Sequence, residues 1–304
     1  MSRSGSIHKC RVQTTLLALG AILLWGSLAP LSFLLSHVPP FLLTGLGLLL
    51  GSLIALPLSR GKLSALRVPW ATLAVGVYGL FGFHFLLFTA LRYAPPVQAN
   101  LLNYLWPLGM VLMAPLFLPG IRLRTVHVAA ALIGFAGAVL AILGGAANSA
   151  DGAVAGRGSG WFAWGYILAL ASAFVWASYS LLTQRLAAFR TAAIGVFGLV
   201  SGVLSLACHV ALEAPAHLTT ADWGLIAALG LGPLGAAFYL WDAALKRGDA
   251  RQIGVLSFLT PLLSTLALLG VRAELPSLSV LGAAGLIVSA AVLGSRATAE
   301  EPAR

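Results

Sequence analysis

The sequence predicts an all-α, polytopic membrane protein whose ten transmembrane helices form a five-plus-five inverted-topology repeat. Three observations carry that expectation: a composition suited to lipid, ten apolar segments long enough to cross it, and residue patterns that recur in the second half of the chain. Hydrophobic residues make up 60% of the 304 and charged residues 9%, against about 25% charged in soluble proteins. The formal net charge of +10 does not mark a nucleic-acid binder. Such a footprint needs Lys and Arg clustered on one folded face, and here they sit singly or in twos and threes between apolar runs.

Residues 1–12 read as a cytoplasmic tail carrying Arg3, Lys9 and Arg11. The apolar run that follows, Val12 to Leu35, is longer than the roughly 7–15 residues of a signal-peptide core, and Pro30 follows its one small-x-small site, Ser27-Leu28-Ala29. It is therefore expected to stay as the first span. A helix needs about 20 apolar residues to cross a bilayer, and segments of that kind run over 13–35, 41–58, 69–91, 96–118, 124–145, 161–184, 191–212, 222–245, 251–271 and 276–295. The Gly-, Ala- and Ser-rich stretch 146–160 is the long connection. It reads as an external linker between a first repeat, 13–145, and a second, 161–295, with a cytoplasmic tail at 296–304. Cys10 and Cys208 have neither disulfide context nor metal-ligand spacing.

Cytoplasmic loops of membrane proteins carry the excess of Lys and Arg. Of the 18 here, only Arg92, Arg157 and Arg272 fall on one side, and the others, from Arg3 to Arg304, fall on the opposite one, which places both termini in the cytoplasm. Five spans per half then invert the second half relative to the first. Trp25 and Ser27 match Trp176 and Ser178, Gly47 and Gly51 match Gly198 and Gly202, and Gly134 and Gly137 match Gly282 and Gly285. The most telling match is ALRYAPPVQANLLNYLWP, from Ala90 to Pro107, with ALKRGDARQIGVLSFLTP, from Ala244 to Pro261. Inverted repeats serve alternating access around a site near the bilayer midplane.

Polar residues inside spans are costly in hydrocarbon and so point to function or to interhelical pairing. Asn100, Asn103, Tyr104 and Pro107 share one stripe of span four, with Trp106 projecting to a neighbouring direction. The stripe either lines a pathway or hydrogen-bonds between helices. Pro107 and Pro261 break spans four and nine, which is tolerated where the backbone faces protein or water. His84, near the middle of span three, lines a cavity or is a neutral imidazole bonded across to Asn100 or Tyr104. Asp242, the one acid within a span, is placed for an i,i+4 ion pair with Lys246 or for a gating or coupling role. Trp25 and Trp176, mid-span and matched, are candidates for recognition together with Tyr78, Tyr179, Tyr239 and Trp241. Trp70, Trp161, Trp164 and Trp223 lie near span ends, where aromatic belts form. The matched glycine pairs four apart suit close helix packing, within a monomer or at a weak dimer face. No Walker motif, HExxH or pair of buried carboxylates is present, so neither direct ATP use nor intramembrane catalysis is supported, and no cofactor is expected.

The two halves of five spans, the prolines of spans four and nine, Glu274 just after span nine and the basic loop before it resemble the drug/metabolite transporter superfamily, in its EamA-type branch. The run NYLWPL from Asn103 to Leu108 is similar to that of the YddG-type aromatic amino acid exporters. The resemblance implies a basket in which spans one, three, four, six, eight and nine surround a central cavity. Carried onto this sequence, that cavity is lined by Trp25, Tyr78, His84, Asn103, Tyr104, Trp106, Trp176 and Tyr239. It further implies a bacterial inner-membrane exporter of aromatic and other apolar amino acids. The partners expected are the small-molecule substrate and membrane lipid, with no nucleic acid. Thr260 stands before Pro261 where the family pattern has an acid, so facilitated efflux is the expected mechanism. The alternative is a proton-coupled exporter of drugs or other small metabolites that uses Asp242 or His84.

Overall fold

The computed structural model describes residues 3–146, 159–186 and 188–299, and within them every regular element is helical. Most of the linker expected at 146–160 and the end of the C-terminal tail lie outside the described residues. α1 (Arg3–Gly26) starts near the terminus and runs on into the first span, followed after Ser27 by α2 (Leu28–Leu34). Span two is α3 (Pro40–Ser52) and α4 (Ala55–Ser59). Span three is α5 (Trp70–Val77), a π-helical turn over Tyr78–Gly82, and α6 (Phe83–Tyr93). Span four divides into α7 (Pro96–Asn103) and α8 (Trp106–Phe117), and span five is α9 (Thr125–Ala146).

In the second half, α10 (Ser159–Leu182) forms span six, and span seven is a short 3₁₀ turn followed by α11 (Ile194–Leu212). Span eight is α12 (Thr220–Leu231), a π-helical turn over Gly232–Ala236, and α13 (Ala237–Leu245). Span nine divides into α14 (Ala250–Leu256) and α15 (Leu259–Val271), and α16 (Leu278–Ala299) is last. Among the described residues, nine helices are long and apolar enough to cross a membrane. The tenth expected span corresponds to α16, whose apolar section, Leu278–Gly294, is shorter than the rest.

The interruptions follow from the residues that cause them. Pro107 has no N–H to return to the Asn103 carbonyl, so the chain tightens at Leu105, which bonds back to Leu102, and restarts with Pro107 in the first turn of α8. Proline is tolerated there because that N–H has no helical partner in any case. Span nine does the same around Pro261: Phe258 bonds back to Val255, Thr260 bonds back to Ser257, and Pro261 sits in the first turn of α15. The two π turns open where Gly79 and Gly82, and later Gly232, Pro233 and Gly235, weaken the α-helical ladder. The interruptions of spans three and four have counterparts in spans eight and nine, Tyr78–Gly82 answering Gly232–Ala236 and Asn103–Trp106 answering Ser257–Thr260, whereas the breaks of spans one and two have none in α10 and α11.

Packing has the same character. Span two lies on span seven, span four on span nine and span five on span ten, while the contact of span three with span six is matched by that of span eight with span one. The glycine pairs are used inside the chain: Gly47 and Gly51 meet Leu229, Gly230, Leu234 and Gly235 of span eight, and Gly202 meets Gly45 and Leu49 of span two. A second apolar core joins Val111, Phe258, Ala283 and Ile287 between spans four, five, nine and ten, where the Phe258 ring covers Gly134.

These contacts differ in how much they can yield. A Cβ on Gly51 would stand 2.7 Å from the Gly235 Cα and 2.7 Å from the Leu234 carbonyl oxygen, both backbone atoms, whereas a Cβ on Gly224 meets nothing within 4 Å. Gly51→Ala is accordingly expected to destabilise by about 1–3 kcal/mol through overpacking, and Gly224→Ala to be neutral or stabilising by about 0.4–1 kcal/mol. Thermal unfolding of the purified protein in detergent measures both.

Candidate functional site

Four tryptophans meet where spans one, four, six and eight cross. Trp25 stands with its ring centroid 5.0 Å from Trp241, 5.6 Å from Trp176 and 6.4 Å from Trp106, and Phe238 closes on Trp25 at 5.9 Å and on Trp176 at 5.7 Å. Most of these contacts are edge-to-face or tilted, the geometry that aromatic quadrupoles favour. All five rings are buried. The tryptophan matched across the halves of the sequence, Trp25 with Trp176, is therefore a directly packed pair. His84 and Phe238, which occupy matched positions in spans three and eight, are another, at 6.3 Å.

An indole N–H buried this deeply needs an acceptor, and for Trp25 a helix interruption supplies it. In the π turn of span eight the Ala237 N–H reaches back to the Gly232 carbonyl, and the Pro233 carbonyl accepts the Trp25 Nε1–H at 3.1 Å. The Trp241 Nε1–H goes to Ser180 Oγ at 3.2 Å. On the facing side, the Ser178 hydroxyl gives its one proton to the Phe174 carbonyl, so Tyr78, in the π turn of span three, donates to Ser178 Oγ at 2.8 Å. The break in span four places Asn103 with its Oδ1 3.0 Å from Ser172 Oγ, and leaves the half-buried Tyr104 with a hydroxyl that has no hydrogen-bond partner among the described residues.

Two expectations from the sequence are corrected. The imidazole of His84 bonds neither Asn100 nor Tyr104. Its Nδ1 lies 2.6 Å from the Leu80 carbonyl one turn earlier, and since a carbonyl only accepts, Nδ1 carries the proton there, while the ring packs against Phe83, Phe88 and Phe238. Tyr239 does not join the tryptophans. Its hydroxyl donates to the Gly51 and Ser52 carbonyls at 3.2 and 3.4 Å, at the place where span two is interrupted after Ser52. The cavity that the resemblance implies is filled by these rings; the neighbouring crevice is lined by Leu48, Gly51, Ile194, Gly198, Leu234 and Tyr239. Phe238 was missed as a site residue because a lone apolar ring in a span carries no signal of its own, although its match to His84 could have marked it.

Each end of the bundle carries an ion pair. Asp242 and Lys246 pair as their spacing predicts, Nζ to Oδ2 at 2.6 Å, and Thr191 donates to the same oxygen at 2.7 Å. The ammonium also bonds the Phe189 carbonyl and lies 3.7 Å above that ring. Burial lowers the Lys246 pKa, against the opposing pull of the Asp242 carboxylate. At the other end Glu213, unremarked in the sequence, accepts the Phe41 and Leu42 N–H groups at the start of α3 together with Arg92 at 3.1 Å and His209 at 2.9 Å. Anions are favoured at a helix N-terminus for this reason. Arg92 and Lys246 occupy matched positions, and each covers a phenylalanine at the entry to a span, Phe41 and Phe189. Of the belt tryptophans whose side chains are described, Trp70, Trp164 and Trp223 are exposed.

A model of the EamA-like transporter family matches the sequence twice, over residues 13–143 and 163–296. The chain belongs to that family. An aromatic amino acid exporter, YddG, of Ancylobacter novellus is 43% identical to this EamA-like transporter over 291 residues, covering 94% of this chain and 98% of the relative. A protein of the same name from Salmonella typhimurium is 27% identical over 266 residues, 83% of this chain and 86% of that one. A solved structure, titled only as the crystal structure of a protein, superposes with a TM-score of 0.85 at 41% identity, covering 93% of this chain and 98% of its own. The family is one of transporters rather than enzymes, and the chain is a multi-pass membrane protein.

The two aromatic environments differ in what a substitution removes. Phe238→Ala in this transporter takes a whole ring from between Trp25, Trp176 and His84 and is expected to cost about 3–5 kcal/mol, whereas Tyr239→Phe removes one hydroxyl and is expected to cost about 1 kcal/mol. Thermal unfolding in detergent ranks them; the reverse order would take Phe238 out of the central packing.

Proposed function

We propose that this chain exports amino acids, aromatic and other apolar ones, across the bacterial inner membrane by alternating access through its central aromatic cluster, down the substrate's own gradient. The observation that carries this reading is the packed pair Trp25 and Trp176 at 5.6 Å, one ring from each half of the chain, within a cluster closed by Trp106, Trp241 and Phe238. A flat apolar ring recognises such a surface by stacking and burial, and replaces ring-to-ring contacts that the empty protein makes with itself. Tyr78, His84, Asn103 and Tyr104 stand around it as hydrogen-bonding groups for the polar end of the substrate. The name of the relative at 43% identity points to the same substrate class.

Ten spans in two inverted halves, with boundaries near 13–145 and 161–295 and both termini cytoplasmic, are part of this proposal. Support comes from the matched π turns and breaks, from the exchange symmetry of the packing, and from the distribution of Lys and Arg. Interrupted helices at the interface of inverted repeats are where transporters bind substrate. Pro107 and Pro261 are the kinks about which the halves of spans four and nine pivot. Efflux without proton coupling is favoured because Asp242 is held by a neighbouring ammonium and span nine carries Thr260 rather than an acid beside its proline. The glycine pairs are occupied within the chain, which supports a monomer.

The test is release of preloaded tryptophan from proteoliposomes, with and without a pH gradient. Release is expected to be independent of the gradient and to fall by at least about tenfold in Tyr104→Ala and His84→Ala, a loss of about 1.4 kcal/mol in transition-state binding. Release that follows the gradient would overturn facilitated efflux in favour of a coupled antiporter. Absence of tryptophan release alongside efflux of an unrelated apolar compound would overturn the substrate class.

A further inference from the structure

Asp242 is 2% exposed, yet its two oxygens are treated differently. Oδ2 takes both donors that reach the carboxylate, Lys246 Nζ at 2.6 Å and Thr191 Oγ1 at 2.7 Å, while Oδ1 is buried with no hydrogen-bond partner. A buried carboxylate oxygen left without a donor is costly, and a structure retains such a cost where something else supplies the missing donor. Lys246 cannot supply it, because its ammonium is already engaged with Oδ2, the Phe189 carbonyl at 2.9 Å and Thr191 Oγ1 at 3.5 Å. These contacts hold the carboxylate by one oxygen and leave the other free to receive.

The position of the free oxygen sets the chemistry of the missing donor. Asp242 follows Trp241, whose ring lies 5.0 Å from Trp25 and 5.7 Å from Trp106 in the central cluster and is held by Ser180 of span six. A ligand whose ring enters the cluster from the Lys246 end therefore carries its polar end past Asp242. A primary ammonium matches an unpaired carboxylate oxygen in charge and brings three donors, and a charge-assisted bond of this kind is about twice as strong as a neutral one.

We propose that Asp242 Oδ1 is the ammonium-reading acceptor of the transport site, with Thr191 and Lys246 as positioning residues that hold the other oxygen. The assignment rests on the reading of the substrate as an aromatic amino acid and deepens it: the protein requires the amino group, and selects against aromatic acids that lack it. Lys246 balances the charge of the carboxylate, so a zwitterion, itself neutral overall, is accepted without leaving a net charge in the bundle.

The experiment is binding to the purified full-length protein in detergent, by calorimetry, of tryptophan, of tryptamine, which keeps the amine and lacks the carboxylate, and of indole-3-propionate, which keeps the carboxylate and lacks the amine. Tryptophan and tryptamine are expected to bind the native protein at least about tenfold more tightly than indole-3-propionate. In Asp242→Asn that preference is expected to disappear, with indole-3-propionate affinity unchanged. Equal affinity of the native protein for tryptophan and indole-3-propionate would overturn the assignment while leaving an aromatic transport site in place, and needs no variant to be seen. An equal loss of both ligands in Asp242→Asn would reduce the residue to an architectural ion pair and overturn it as well. Binding of none of the three would overturn the aromatic amino acid reading, and this assignment with it.

Discussion

Hydrocarbon offers no hydrogen bonds, so every backbone N–H and C=O of a spanning helix has to find its partner within the protein. That constraint organises this molecule more than any single contact. Four of its spans are interrupted by breaks or π turns at matched places, span two is interrupted after Ser52, and carbonyls at these places are taken up by specific side chains: the Pro233 carbonyl by the Trp25 indole, the Gly51 and Ser52 carbonyls by the Tyr239 hydroxyl. The interruptions are thus stable only while the helices that supply those side chains stay in place. Backbone irregularity and the packing of the aromatic centre are one arrangement.

The centre is closed by the residues that a ligand would touch. Trp25, Trp106, Trp176, Trp241 and Phe238 fill the space among spans one, four, six and eight, and ion pairs tie both ends, Lys246 with Asp242 at one and Arg92 with Glu213 at the other. The two clamps are alike: a cation at matched positions of spans three and eight, seated over a phenylalanine where a neighbouring span begins.

Much of this was legible in the sequence, for reasons that differ by feature. Span boundaries were readable because lipid imposes a composition on about 20 consecutive residues at a time, and the duplication because Pro107 with Pro261 and Trp25 with Trp176 are costly residue choices to repeat by chance. The shorter apolar section of α16 was smoothed over by the same averaging. The roles of individual rings were less accessible. Tyr239 and Phe238 are neighbours of similar type, and only the rotation of α13 decides that one faces the tryptophans and the other the broken end of span two. The partner of His84 was sought on another helix, whereas the π turn beside it brings the Leu80 carbonyl to its own ring nitrogen. Glu213 gave no signal because its value comes from the start of α3, about 170 residues away in the chain and adjacent only in the fold.

The central claim is that the aromatic centre is reached from each side of the membrane in turn, and the most direct measurement of it is accessibility at Tyr104. In a background with Cys10→Ser and Cys208→Ser, Tyr104→Cys would be treated with a membrane-impermeant thiol reagent, applied to right-side-out and to inverted vesicles. The account predicts modification from both faces, slowed from both by tryptophan. Modification from one face alone, whatever the substrate present, would contradict it.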